Sequence, residues 1–258
     1  MNILFTICGR AGSKGFKNKN LKKMRGIPLA FYSLAAIYGY MERHPTDRVM
    51  VALNTDSELL RETIEKQTLI PVRYIFRKPE LAGDVVAKVE VIKDTFFACA
   101  DFASDVVVDL DITSPMRRVE DIENIIAEYN KGIYDLVFSV VEARRSPYFN
   151  MVENKPDGFY RKICESQYTA RQQAPKSYEM NASIYAYSPS FLRSMITKTI
   201  IDYDCGISVM PDYLVLDIDS EEDFAMMELL YEIFCQKDEG LMSIYKCALD
   251  IGDKHNGE

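Results

Sequence analysis

The N-terminal segment MNILFTICGRAGSKGFKNKNL, residues 1–21, sets the expectation for the fold. Its apolar run 3–8 predicts a short buried strand. Residues 9–20 then form a loop with three glycines and four cationic side chains. A glycine-rich turn after a strand presents several backbone N–H groups in one concavity, where cations can neutralise a di- or triphosphate. The loop predicts a polyanion site, and the plainer interpretation is a solvated surface loop.

Neither of two familiar phosphate-binding motifs accounts for this loop. The P-loop motif requires Gly-Lys-Ser/Thr at its end, whereas Gly15 is followed by Phe16. The dinucleotide fingerprint requires glycines two and then three positions apart, whereas Gly9, Gly12 and Gly15 are evenly spaced. The loop must therefore be interpreted together with the rest of the chain.

Short apolar runs alternate with amphipathic segments of helix length along the chain, which indicates β-α units around a mostly parallel sheet. Strands are predicted over residues 3–8, 49–53, 72–76, 105–110, 136–140, 184–187 and 213–216, and helices over 28–40, 57–66, 85–101, 120–131, 189–196 and 220–235. The pattern breaks over 143–180, a polar, aromatic and arginine-rich stretch with a hairpin-like turn at 155–158. We predict one α/β domain over 1–258, with 143–180 inserted as a dimerisation arm or lid.

Composition restricts the class of ligand. The chain has 258 residues and a net charge of −8, which argues against nucleic acid and favours a small anionic ligand at the basic loop. Its six cysteines are scattered and form no C-x-x-C pair, so we expect reduced thiols. No apolar run reaches 18 residues, and the first strand lacks the features of a signal peptide. The expected location is the cytoplasm, with no membrane partner.

Two pairs of aspartates follow predicted strands. Asp109 and Asp111 occur in VVVDLDITSPMR, and Asp217 and Asp219 in YLVLDIDSEEDF. Ligands of parallel α/β sheets bind beyond the carboxyl ends of the strands, so both pairs should meet the glycine loop there. Carboxylates together with substrate phosphates suit Mg²⁺. The alternative is that these aspartates cap the following helices, although Ser220 already supplies one cap.

The residues resemble a known family. CGRAGSKGFKNKNL is similar to the N-terminal signature of the CMP-acylneuraminate (CMP-sialic acid) synthetases, and four further stretches agree in order: NTDSELL, FRKPELAGD, DITSPMR with ARQQAPKSYEMNASIYAY, and LDIDSEEDF. Together they span residues 3 to about 230. The resemblance implies a GT-A-like fold and a homodimer whose arm reaches the neighbouring site. It also implies a Mg²⁺-dependent reaction in which an acidic nine-carbon 2-keto sugar attacks the α-phosphate of CTP and pyrophosphate leaves.

The resemblance also assigns roles to residues by motif position. These are the CTP-binding residues Arg10, Ser13, Lys14, Lys19, Asn20 and Arg77, the sugar-binding residues Arg171, Gln172, Asn181 and Tyr185, and the metal ligands Asp217 and Asp219. Arg10 and Lys14 would stabilise the leaving group, and Arg77 would lie near the base and ribose. The catalytic set is then Arg10, Lys14, Asp217 and Asp219, with Asp111 added for the reason given next.

The chain departs from the family pattern mainly where the sugar should bind. Asp111 stands where a glutamine is expected, and its carboxylate would repel an acidic sugar unless a cation intervenes. We predict Asp111 as an additional Mg²⁺ ligand, as in the related Kdo cytidylyltransferases. Lys88 replaces a serine near the base, and Ala182 replaces a glycine. These changes favour a modified nonulosonate, of legionaminic or pseudaminic type, as the acceptor.

Two other functions are compatible with parts of the pattern. A GT-A glycosyltransferase that uses a nucleotide-sugar donor would also carry D-x-D sequences, but it would not need a triphosphate-binding loop. A catalytically silent homologue would have no use for the clustered charges of Arg10, Lys14, Asp217 and Asp219.

Overall fold

The computed structural model describes residues 1–12 and 16–253. Its eleven strands are β1 (Asn2–Cys8), β2 (Lys23–Met24), β3 (Ile27–Pro28), β4 (Arg48–Thr55), β5 (Val72–Phe76), β6 (Val106–Leu110), β7 (Leu136–Glu142), β8 (Val152–Asn154), β9 (Tyr160–Lys162), β10 (Tyr178–Tyr187) and β11 (Cys205–Val209). Seven of them form one sheet in the order β11-β7-β10-β6-β1-β4-β5. All neighbours in it are parallel except at β10, which runs antiparallel to both β6 and β7.

The helices are α1 (Leu29–Arg43), α2 (Glu58–Glu65), α3 (Lys88–Ala98), α4 (Val119–Tyr129), α5 (Pro189–Ser194), α6 (Glu221–Cys235) and α7 (Glu239–Asp253). Serine side chains cap three of them, at Ser57, Ser188 and Ser220, and the last is the cap that the sequence predicts. Ser57 Oγ accepts the Leu60 N–H at 3.2 Å, and Ser220 Oγ accepts the Asp223 N–H at 3.1 Å. The Asp223 carboxylate in turn accepts the Ser220 N–H, which completes a capping box. No described helix is long and apolar enough to cross a membrane.

Two hydrophobic cores lie on the two faces of the sheet. Alternate residues of a strand point to opposite faces, so Ile3, Phe5 and Ile7 join the core under α1, α4 and α7, while Leu4 joins the core under α3 and α5. The mostly parallel sheet with helices on both faces confirms the predicted α/β architecture. It also directs the carboxyl ends of β1, β5 and β6 toward a single edge.

The predicted strand over 213–216 is wrong. Asp212–Leu214 forms a 3-10 turn instead, and the sheet position is taken by β11, which the sequence pattern did not predict. An apolar run of this length suits any buried segment, and here Leu214 enters the core from the turn with 1% exposure. Asp217 and Asp219 therefore do not follow a strand. The helix α7 was also not predicted.

The inserted stretch contains the expected hairpin. Strands β8 and β9 pair antiparallel as a separate small sheet, and the Gly158 N–H donates to Lys155 O at 2.8 Å across the turn. Gly158 has φ 83°, a left-handed conformation that glycine adopts without strain. The predicted inserted range 143–180 also includes the first residues of β10, so the last part of the range belongs to the main sheet. Its role as a dimerisation arm stays a prediction.

Candidate active site

A cavity of about 280 Å³ lies at the carboxyl edge of the sheet. It brings together six residues that the sequence predicts for the site: Arg10, Lys19, Asn20, Arg77, Asp111 and Asp217. Ser13 and Lys14, predicted to hold the triphosphate, lie outside the described residues. The cavity therefore joins the N-terminal loop, the end of β5, the end of β6 and the turn before α6.

Close packing holds the start of the glycine loop. A Cβ on Gly9 would lie 2.5 Å from Leu60 Cδ2 and 2.9 Å from Ile112 Cδ1, so a larger residue where β1 ends would force these two side chains to shift. The Ala11 N–H donates to Asp56 Oδ1 at 2.7 Å. Asn20, predicted to bind the nucleotide, donates from Nδ2 to Arg10 O at 3.1 Å and so braces the loop from within.

Four cations line the cavity, and three of them, Arg10, Lys19 and Arg77, are predicted for it by the sequence. The Arg10 guanidinium pairs with Asp84, which belongs to the quoted motif FRKPELAGD but received no predicted role. Lys19 Nζ donates to Ile218 O at 3.0 Å and to Asp219 Oδ1 at 2.9 Å. Arg77 is 5% exposed and is held by Asn54, whose side-chain oxygen accepts from Nε at 3.0 Å and whose backbone oxygen accepts from Nη2 at 2.9 Å. Both acceptors on Asn54 are neutral oxygens, so these hydrogen bonds do not neutralise the charge of Arg77.

At the end of β6, two carboxylates contact Lys88, which is the first residue of α3. Lys88 Nζ lies 2.7 Å from Asp109 Oδ2 and also donates to Asp111 Oδ2. Asp109 is fully buried and accepts from Thr6 Oγ1 at 2.7 Å. Burial alone would raise the pKa of Asp111, but the charge of Lys88 and hydrogen bonds from Thr113 outweigh it and lower that pKa to about 2. Asp111 is therefore ionised at neutral pH.

Asp217 reaches the same cavity although it follows a turn. The Ile218 N–H donates to Thr113 O at 3.0 Å and fixes the 217–219 segment beside the end of β6. Asp217 Oδ1 accepts from Ser114 Oγ at 3.2 Å and from the Ile218 N–H at 2.9 Å. Burial, followed by the negative charge of Asp111, raises the pKa of Asp217. A cation beside Asp217 would relieve both effects, so this carboxylate fits a metal ion.

The other predicted metal ligands are placed differently. The Asp219 side chain is 78% exposed and pairs with Lys19, while Asp111 is already bonded to Lys88. Within residues 1–12 and 16–253, no group of three or more His, Cys, Asp or Glu side chains is arranged to hold a metal ion. Mg²⁺ commonly keeps several waters and uses one or two carboxylates with substrate phosphates, which is the pattern that Asp217 can serve.

Arg117 is a structural residue that sequence reasoning did not identify. It has no exposed surface, and its guanidinium donates to Ser33 Oγ at 2.8 Å, Ser183 Oγ at 3.2 Å and Ser114 O at 2.6 Å. It also donates to Asp111 O. Burial lowers its pKa to about 10, which still leaves it charged at neutral pH. Arg117 thus fixes the backbone of the segment that carries Asp111 and Ser114.

The predicted sugar residues do not form one cluster within a chain. Asn181 is 2% exposed and faces the interior, where Oδ1 accepts from Ser139 Oγ at 2.6 Å and Nδ2 donates to Leu214 O at 3.3 Å. It does not line the described cavity, and its amide braces the turn before Asp217. Ala182 has φ 52°, a left-handed conformation that favours the glycine of the family motif.

The cavity lining does not include Tyr185, Arg171 or Gln172. The Tyr185 ring centroid lies 5.8 Å from Lys88 Nζ, and burial raises the pKa of its phenol to about 12. Arg171 donates from Nη2 to Ala143 O at 2.8 Å. Arg171 and Gln172 line a different cavity of about 250 Å³ at the base of the inserted stretch. A single chain thus keeps these two residues out of the first cavity.

Comparison with known proteins shows the family to which the chain belongs. The family model described as cytidylyltransferase matches residues 4–236. The chain is 34% identical to post-translational flagellin modification protein B of Campylobacter coli, over 88% of this chain and 94% of that protein. It is 32% identical to CMP-N,N'-diacetyllegionaminic acid synthase of Campylobacter jejuni, over 90% and 95% respectively. A more distant relative is N-acylneuraminate cytidylyltransferase of Streptococcus agalactiae, 27% identical over 87% of this chain and 52% of that protein.

Solved structures show the same fold at low sequence identity. The CMP:2-keto-3-deoxy-manno-octonic acid synthetase complexed with CTP superposes with a TM-score of 0.61 and 13% identity, over 89% of this chain and 98% of that one. The 4-diphosphocytidyl-2C-methyl-D-erythritol synthase of Anaerococcus prevotii gives 0.58 and 13%, over 90% and 99%.

Proposed function

Because this chain belongs to the cytidylyltransferase family, we propose that it transfers CMP from CTP to a nonulosonic acid and releases pyrophosphate. The observation that carries the proposal is the single cavity in which Arg10, Lys19 and Arg77 face Asp217. Cations for a triphosphate and a carboxylate for a metal are what nucleotidyl transfer requires. The names of the Campylobacter and Streptococcus relatives support the choice of an acidic nine-carbon sugar.

The reaction is an in-line displacement at the α-phosphorus. The anomeric hydroxyl oxygen of the sugar forms a bond to this phosphorus, and the bond from the phosphorus to the β-phosphate oxygen breaks. Pyrophosphate leaves with the electron pair, and the hydroxyl proton passes to solvent or to a nearby carboxylate. Arg10 and Lys19, which line the cavity, would neutralise the charge that grows on pyrophosphate, and the sequence adds Lys14 to this group.

We place Mg²⁺ at Asp217, whose carboxylate is bonded by the neutral donors Ser114 and Ile218 N–H. Bound Mg²⁺ supplies Lewis-acid polarisation of the phosphate and lowers the pKa of the attacking hydroxyl. The chain itself fixes Asp217 through the bond between Ile218 and Thr113 and through the buried amide of Asn181 against Leu214 O. Asp219 would then act mainly by holding Lys19.

A homodimer in the cytoplasm is part of the same proposal. Arg171 and Gln172 lie outside the first cavity of their own chain, and the hairpin of β8 and β9 exposes apolar side chains, among them Val152, Phe159 and Tyr160. Exposed apolar surface of this kind is typical of interfaces. A second copy that covers this hairpin could bring sugar-binding groups toward the cavity of its partner.

The test is an assay of pyrophosphate release with Mg²⁺, CTP and a panel of nonulosonic acids, namely N-acetylneuraminic, diacetyllegionaminic and pseudaminic acids. We expect turnover with CTP, and most efficiently with a diacetylated acid, in keeping with the relative that makes CMP-diacetyllegionaminic acid. Parallel reactions with UTP and ATP measure the choice of base. Turnover with UTP or ATP and none with CTP would contradict the proposal.

A further inference from the structure

Lys88 occupies an unusual position for a cation. It is the first residue of α3, and its side chain, 33% exposed, extends into the cavity between Asp109 and Asp111. The N-terminus of a helix carries a partial positive charge, so a lysine there is unfavourable unless anions offset it. Asp109 and Asp111 supply those anions. A lysine in the first turn of α3 thus departs from the usual helix composition. Because it lies beside the cavity, we expect this departure to have a functional cause.

The buried carboxylate of Asp109 requires the positive charge of Lys88 beside it. Its carboxylate is fully buried, with one oxygen bonded to Thr6 and the other 2.7 Å from Lys88 Nζ. A buried carboxylate that loses its counter-charge is strongly destabilising. Lys88 therefore cannot leave Asp109 without a replacement cation, and while it stays it also holds Asp111.

The bonds of Asp111 leave little room for a metal. Its Oδ1 accepts from the Thr113 N–H at 3.0 Å and from Thr113 Oγ1 at 2.9 Å, and its Oδ2 accepts from Lys88. A divalent ion at Oδ2 would meet the ammonium charge at close range. Asp217, by contrast, is bonded by the Ser114 hydroxyl and the Ile218 N–H, neither of which is charged.

We propose that Lys88 is the permanent counter-cation of Asp109 and Asp111, a positioning residue that keeps Asp111 from binding a divalent metal and leaves that role to Asp217. This replaces the sequence-based expectation that Asp111 is a metal ligand. It also supplies the cation that an acidic sugar needs in order to lie beside Asp111. The inference deepens the proposed function, because it concerns the metal and the acidic substrate of the same cavity.

The test is a titration with Mn²⁺, followed by the electron paramagnetic resonance signal of the free ion, in the presence and absence of CTP. The variants are Lys88→Met, Asp111→Asn, Asp217→Asn and the double variant Lys88→Met/Asp111→Asn. We expect Asp111→Asn to retain the Mn²⁺ affinity of the parent within about twofold, because Asp111 is not a ligand. Removal of the lysine charge should strengthen Mn²⁺ binding by about tenfold or add a second ion, and the double variant should lose that gain.

Three outcomes would overturn the inference: Asp111→Asn weakens Mn²⁺ binding as much as Asp217→Asn does, Lys88→Met gains no Mn²⁺ binding, or its gain survives in the double variant. Circular dichroism shows whether each variant folds. If Lys88→Met does not fold, Lys88→Gln provides the same comparison with a hydrogen-bonding side chain, and Asp111→Asn with CTP decides whether Asp111 is a ligand. The titration uses no sugar and no turnover, so its failure is distinguishable from absence of cytidylyltransferase activity.

Discussion

Lys19 Nζ lies 2.9 Å from Asp219 Oδ1, so the N-terminal loop and the turn before α6 meet through an ion pair between residues 200 positions apart. This ion pair distinguishes Asp219 from Asp217, although the sequence pattern assigns both the same role. Asp219 is largely exposed and already neutralised, whereas Asp217 lines the cavity and accepts bonds from neutral donors. We therefore expect these two carboxylates to respond differently to substitution.

Asp217→Asn should lower kcat/KM for CMP transfer by about 100-fold or more, because it removes the carboxylate proposed to hold the metal. Asp219→Asn is the matched control, since it removes one charge from the neighbouring residue but leaves the cavity wall intact. For it we expect a loss of less than about tenfold, since exposed ion pairs contribute little. The measurement is steady-state pyrophosphate release over a range of Mg²⁺ concentrations. Equal losses in the two variants would contradict this assignment.

Gly9→Ala should lower the free energy of unfolding by about 1–3 kcal/mol, because overpacking forces neighbouring side chains from their places. The added Cβ would lie 2.5 Å from Leu60 Cδ2 and 2.9 Å from Ile112 Cδ1. Gly83→Ala is the control, since its nearest neighbour would be Val86 Cγ2 at 3.5 Å, an ordinary contact. Urea unfolding of both variants measures the difference. If Gly9→Ala is as stable as Gly83→Ala, the glycine does not serve close packing.

Asp238 fixes the unpredicted helix α7 to the rest of the domain. Its Oδ1 accepts the Leu241 N–H at 3.0 Å, and its Oδ2 accepts from Tyr213 Oη and from Arg118 Nη1 at 3.3 Å. Burial would raise the pKa of this carboxyl, but these bonds lower it below its ordinary value. A lowered pKa in the folded state means that the ionised carboxylate stabilises the fold above the unfolded pKa and that this stability is lost on acidification.

Asp238→Asn should therefore cost about 1–2 kcal/mol of unfolding free energy at pH 7, where the carboxylate is charged. The difference from the parent should shrink as the pH falls below about 3.9, because the parent carboxyl is then protonated as well. Urea unfolding at a series of pH values measures it. A difference that grows with acidification would have the wrong sign for this explanation.

The exposed hairpin provides a test of the homodimer. We expect the parent protein to sediment with a mass near twice 29.6 kDa, and Phe159→Asp to sediment as a single chain. Phe97→Asp on α3 is the control, because it also places a charge on an exposed phenylalanine, but outside the inserted stretch. Analytical ultracentrifugation measures all three. A parent that sediments at 29.6 kDa would refute the proposed dimer.

The sequence predicted those parts of the fold that depend on local pattern. The run 3–8 forms β1, Ser220 caps α6, and the loop after β1 borders a cavity with Asp111 and Asp217. Each of these depends on periodicity, on a cap or on the rule that sites lie at the carboxyl ends of parallel strands.

The features that could not be predicted from the sequence depend on tertiary contacts, which a local sequence pattern does not indicate. The run 213–216 is apolar enough for a strand, but Leu214 enters the core from a turn. Arg117 looks like any surface arginine in the sequence, yet it is buried and donates to the hydroxyls of Ser33 and Ser183 from distant segments. The sequence contains one indication of the pairing of Lys88 with Asp111, namely that both residues depart from the family pattern. The structure shows that these two residues are in contact.

The account is tested most directly by ³¹P NMR of a reaction that contains the protein, Mg²⁺, CTP and diacetyllegionaminic acid. It predicts that the three CTP resonances are replaced by one phosphodiester resonance of a CMP-sugar and by pyrophosphate, in equal molar amounts. Unchanged CTP with this acid and with neuraminic and pseudaminic acids, or the appearance of CDP and inorganic phosphate instead, would contradict it.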